Sequence, residues 1–200
     1  MKKMSLLDRI LLLLTGLLAA YQIVAGIGDL GALAVWAYTV AFGVLLIAGL
    51  LLIIFGFDIL ESPVVVIVST LIPLSLSLGL IAEYRPAWAT GYAVFVVIGF
   101  LAIVGTRYKA SKGVATAVLA VVHGIAGLLI FILPFVLSLR GETPMGFSLV
   151  GVGGALIGLG GMLLAFLKAG RPILSQKVIF TVLPWLLLFM TAAFVAGFAQ

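Results

Sequence analysis

The chain has 200 residues, of which 65% are hydrophobic and 8% charged, with a mean hydropathy of +1.44 and a formal net charge of +5. Soluble domains run about half apolar and a quarter charged, so this composition excludes a water-soluble globule, and the chain lacks the polar residues that keep a segment disordered. The absence of cysteine excludes a disulfide scaffold, and in so apolar a chain the excess of positive charge reports topology rather than a nucleic-acid partner.

A helix needs about 20 apolar residues to cross ~30 Å of hydrocarbon. Uncharged runs of that length recur along the whole chain, and they predict an all-α bundle of seven transmembrane helices in one domain over 1–200. The first run, Leu6–Ile27, follows a basic amino terminus as in a signal peptide, but it exceeds the usual apolar length and is read as a retained helix. The second, Leu33–Phe57, opens near Trp36 and Tyr38, which read as anchors at the membrane surface. Asp58 and Glu61 follow it, placed to pair with Lys109, Lys112 or Arg171 or to meet a basic partner.

The third run, Pro63–Ala82, carries Pro73, Ser75 and Ser77. After it, Glu83-Tyr84-Arg85-Pro86 sets an acid and a base two residues apart as a solvated rim pair, ringed by Tyr84, Trp88 and Tyr92. The fourth run, Ala87–Thr106, ends at Arg107 and Tyr108. The fifth, Gly113–Ser138, holds His123 and Pro134; the sixth, Gly146–Leu167, is rich in glycine; the seventh, Val178–Phe198, holds Thr181, Pro184, Trp185 and Thr191. The connections are too short for a soluble domain, and the chain stops at Gln200 as the last span ends.

Threading seven spans sorts the 11 basic residues. Lys2, Lys3, Arg9, Arg107, Lys109, Lys112, Lys168, Arg171 and Lys177 fall on one side, and only Arg85 and Arg140 on the other. The positive-inside rule then makes the amino terminus cytoplasmic and the carboxyl terminus external, with a secondary attraction of the basic side to anionic lipid. The chain has no asparagine and few glutamines, a scarcity of thermolabile amides that points to a thermophilic prokaryote. The expected location is therefore the plasma (inner) membrane.

A shift of 111 positions lays the first three spans on the last three and leaves the fourth as a connector. It matches Thr70-Leu71-Ile72-Pro73 to Thr181-Val182-Leu183-Pro184 and Gly16-Leu17-Leu18 to Gly127-Leu128-Leu129. The single crossing of the connector makes this a parallel 3+1+3 repeat, with halves at 1–85 and 112–200 and a helix at 87–106 between them. Several families of small-solute transporters and the microbial rhodopsins share that helix count, a likeness of fold that carries no activity. Retinal chemistry needs a lysine inside the seventh span, and Lys177 stands only at its lip.

All 17 formally charged side chains lie at span ends or in connections. No paired carboxylates or nucleophile motif occupies the interior, which argues against an enzyme, an ion pump or a proton-coupled carrier. His123 is the one sharp candidate, beside a strip of Ala117, Ala120, Gly124 and Gly127 against which a flat haem or chlorophyll ring could lie. A hydrogen bond to a neighbouring helix is the simpler reading, since a b-type haem usually wants a second strong axial ligand and the chain has no other histidine. In the sixth span Gly151, Gly154, Gly158 and Gly161 step by three and four along one face, a surface for close helix packing. Trp185, deeper than a surface anchor, is expected to face protein.

Three readings of function follow. A non-catalytic structural subunit of a larger respiratory or photosynthetic type of membrane complex leads, with other membrane subunits as partners. A small-solute transporter of two three-helix repeats requires Ser75, Ser77, Thr181, Trp185 and His123 to converge on one void. A tetrapyrrole- or quinone-binding protein would centre on His123.

Overall fold

In hydrocarbon a backbone must satisfy its own hydrogen bonds, so each apolar run becomes a helix. A computed structural model describes residues 4–200 apart from 29, 169 and 171, together with the backbone but not the side chain of residue 112. The helices are α1 (Leu6–Ala25), α2 (Ala32–Phe55), α3 (Pro63–Ser69), α4 (Leu71–Tyr84), α5 (Pro86–Lys109), α6 (Lys112–Leu139), α7 (Ser148–Lys168) and α8 (Gln176–Phe198). Short 3-10 turns cover Gly56–Glu61 and Met145–Phe147. Among the described residues seven helical segments are long and apolar enough to cross a bilayer, α3 and α4 together forming the third. The chain is a multi-pass membrane protein in contact with lipid.

Local chemistry sets where the helices begin and end. Ser5 and Asp8 form a reciprocal capping box that opens α1. Gly26 and Gly56, both at φ 72°, end α1 and α2 in a left-handed conformation that glycine adopts without a Cβ penalty. The third span breaks at Thr70 because Pro73 has no N–H for the Ser69 carbonyl; beginning a new helix at Leu71 puts that proline in a first turn, where the N–H is dispensable. Pro134 and Pro184 instead lie inside continuous helices.

Neighbouring helices form a closed circuit: α1 packs on α2, α2 on α4, α4 on α6, α6 on α7, α7 on α8, and α8 on α1. Outside this circuit α5 leans on α4 and α6, so only 11% of its most apolar stretch is buried, against 56% for the third span. Arg9, Arg107, Lys109, Lys168 and Lys177 share one end of the bundle, here the basic end; the α1–α2, α4–α5 and α6–α7 connections form the far end.

Toward the far end the core is aromatic. Phe198 lies 4.7 Å from Tyr38 and 6.2 Å from Phe42, and Phe147 joins them. Near the basic end Phe57 stacks on Phe180 at 4.9 Å over Leu12, Leu52 and Leu183. Tyr38 departs from the surface anchor expected of it: it is 3% exposed, its ring lies against Gly79 where a Cβ would come within 2.5 Å, and only Trp36, 70% exposed, faces outward.

Candidate functional site

The residues singled out in the sequence are distributed over different contacts. Ser75 and Ser77 are buried on α4. The Ser77 hydroxyl donates to the Pro73 carbonyl at 2.7 Å and accepts from Tyr92 of α5 at 2.8 Å, so it ties the connector helix to the broken span. Thr181 is exposed and donates to the Lys177 carbonyl. Trp185 is exposed as well, stacked on an exposed Phe189 at 5.7 Å, which corrects the expectation that it faces protein. Thr181 and Trp185 thus look out of the bundle while Ser75 and Ser77 look in, and these side chains do not line one void.

Other hydroxyls within the spans spend their hydrogens in the same way as Thr181. Thr15 donates to Leu11, Thr39 to Val35, Thr106 to Ala102 and Thr191 to Leu187, each to a carbonyl of its own helix one turn back. Such back-bonding satisfies a polar group without presenting it to a neighbour. A cavity of about 60 Å³ lies between α1 and α2 near the far end, lined by Gln22, Ile27, Tyr38 and Phe42 among others. None of the proposed path residues reaches it.

His123 is partly buried on α6. Its Nδ1 is buried without a hydrogen-bond partner among the described residues. The small residues beside it remain uncovered: a Cβ on Gly124 or Gly127 would meet nothing within 4 Å. The glycine face of α7 divides in two. A Cβ on Gly151 would lie 2.7 Å from the Phe131 carbonyl, and one on Gly154 would lie 2.9 Å from the backbone of Ile130 and Phe131. At Gly158 and Gly161, by contrast, there is no neighbour within 4 Å, so only the far half of this face packs. Gly153 and Gly197, which stand outside the expected face, close the α7–α8 contact against Phe194 and Val150. Their signal in the sequence was only that they are small.

Charge is organised at the two ends. At the far end Glu83 and Arg85 do not pair with each other. Glu83 accepts from the Gly31 N–H at 3.1 Å, while Arg85 holds Glu142 through two hydrogen bonds of 2.8 and 3.1 Å. The bidentate bond from Arg85 holds the Glu142 carboxyl below its usual range, and the carboxylate in turn raises the guanidinium. Three connections distant in sequence are thereby joined. At the basic end the Arg9 guanidinium donates to the Ile53 carbonyl and the Lys168 ammonium to that of Leu60. Both cations thus satisfy carbonyls where α2 and the following turn run out. Asp58 and Glu61 form no ion pair with Lys109, and the Arg171 and Lys112 side chains lie outside the described residues.

No family model matches the chain, and no curated protein or solved structure is significantly similar to it.

Proposed function

We propose that this membrane protein is a non-catalytic structural subunit of a larger complex in a prokaryotic inner membrane, with its basic end in the cytoplasm. Its architecture is read as two three-helix repeats. Support for the repeat lies in the order of neighbours. Exchanging α1 with α6, α2 with α7, and α4 with α8 turns the pair α1–α2 into α6–α7, α2–α4 into α7–α8, and α1–α8 into α6–α4, and all six pairs are packed.

The observation that carries the partner is the vacancy this exchange exposes. At one seam between the halves α5 covers α4 and α6, burying Leu74 completely. The shift of 111 positions takes Leu74 to Trp185 on α8, beside α1, where no described helix lies outside and Trp185 and Phe189 stand exposed. A partner's transmembrane helix seated there would cover the α8–α1 seam as α5 covers the α4–α6 seam. Exposed aromatic pairs of this kind are preferred anchors at protein interfaces.

The back-bonded hydroxyls and the dispersed path residues favour this reading over the transporter, and His123 has no second histidine for a tetrapyrrole. Purification from native membranes in a mild detergent tests it. A membrane subunit is expected in stoichiometric yield, lost when Trp185 and Phe189 are both changed to alanine while the protein itself still folds. Partner-free, monodisperse protein from native membranes would overturn the proposal.

A further inference from the structure

The packed half of the α6–α7 contact sets the register of the antiparallel pair: Gly151 lies over Phe131 and Phe135, and Gly154 over Ile130 and Phe131. Continued toward the basic end at helical spacing, that register places Gly158 opposite Gly127, Gly161 opposite Gly124, and Ala165 opposite Ala120. These positions sit on facing sides of neighbouring helices, yet all except the partly buried Gly127 are exposed. None of the four glycines has a neighbour within 4 Å of where a Cβ would be. The two helices therefore part below Gly154 and leave an apolar groove between them, roofed by Ile130, Phe131 and Phe135.

Lys168, the last residue of α7, continues the same face by one more step of three and stands at the mouth of the groove. Its ammonium is held by the Leu60 carbonyl, and it shares its field with the Arg107 guanidinium of α5 and the Glu61 carboxylate. Two cations against one acid leave the mouth positive. A void of this kind in a membrane loses its dispersion contacts unless a chain fills it, and the charge at the mouth selects the headgroup.

We propose that the α6–α7 groove binds an anionic phospholipid from the leaflet at the basic end, with an acyl chain over the glycines and its phosphate against Lys168 and Arg107. The inference is independent of the partner proposed at α8 and α1, which lies on other helices. His123, beside Gly124 and two turns from Ile130, borders the groove along its length. A quinone hydrogen-bonded by that imidazole is the occupant against which the proposal is tested.

The test uses the full-length protein in nanodiscs of phosphatidylcholine with a minority of phosphatidylglycerol, transferred to mild detergent and weighed by native mass spectrometry. One phosphatidylglycerol is expected to be retained above its bulk proportion. Lys168→Gln should lower that enrichment about fivefold, the equivalent of ~1 kcal/mol per basic residue near an anionic surface. Gly161→Leu, which fills the groove where there is no neighbour to displace, should abolish retention while the unfolding midpoint is kept. If Gly161→Leu fails to fold, the Lys168→Gln measurement still decides. Equal retention of the two lipids, retention unaffected by Lys168→Gln, or recovery from native membranes of a quinone lost on His123→Leu would overturn the proposal.

Discussion

Substituting Gly154 and Gly158 in turn by alanine separates close packing from open space on one helix face. At Gly154 the new methyl would lie 2.8 Å from Ile130 Cγ2 and 2.9 Å from the backbone of Ile130 and Phe131. Reaching an ordinary contact of 3.4 Å means moving α6 by about half an ångström. Because the obstacle is backbone, rotation of a side chain cannot absorb it, and overpacking of this kind costs roughly 1–3 kcal/mol. At Gly158 the methyl meets nothing within 4 Å, and the lower entropy of the unfolded chain is worth up to ~1 kcal/mol in favour of alanine. Because both substitutions gain that entropy term, the two variants should differ by the overpacking cost alone, about 1–3 kcal/mol, with Gly158→Ala the more stable. Reversible unfolding of the purified protein in mixed micelles, followed by circular dichroism, measures the difference. Equal destabilisation by both substitutions would refute the divergence of α6 from α7 and the groove that rests on it.

Tyr38→Phe removes a buried hydroxyl without a partner and should raise stability by ~1 kcal/mol in the same unfolding assay; a loss would mean that the hydroxyl has an acceptor. The Arg85–Glu142 clamp predicts a pH dependence. Because Glu142 is lowered from 4.5 in the folded protein while Arg85 is raised and stays charged, the stabilisation is present above pH 4.5 and fades as the pH falls through the depressed value. Thermal midpoints of the parent and Glu142→Gln should accordingly differ at neutral pH and converge in acid. Trp185→Ala, on an exposed surface, should change the stability of the isolated protein by no more than ~0.5 kcal/mol. Phe194→Ala, at 0% exposure in the aromatic core, should cost ~3–5 kcal/mol.

The spans were legible in the sequence because hydropathy and the lack of mid-span charge are properties of each segment by itself. The helix boundaries differ from those expectations by a few residues, and the largest departure, the break at Thr70, has a local cause in Pro73. The candidate site was much less legible. Ser75, Ser77, Thr181 and Trp185 share a polar or amphipathic character at mid-depth, but the rotation of each helix about its axis decides whether a side chain meets a neighbour or lipid. In a helix that is apolar all round, no hydrophobic stripe reports that rotation.

Glycine shows the same division. The spacing of Gly151, Gly154, Gly158 and Gly161 is visible in the sequence, and it establishes that these residues share a face. Whether the face is covered depends on the path of α6, which crosses close at Phe131 and departs below it. What the sequence by itself determined is the solvent of each segment, the number of crossings and the grouping of charge at two ends, because these follow from transfer free energy along one chain. Only the tertiary structure decided that Tyr38 is core, that Arg85 holds Glu142 rather than Glu83, and that α5 covers α4 and α6 while Trp185 is left bare on α8. Those outcomes depend on distances between residues far apart in the chain, and a packed contact in lipid is selected by shape, which no single segment encodes.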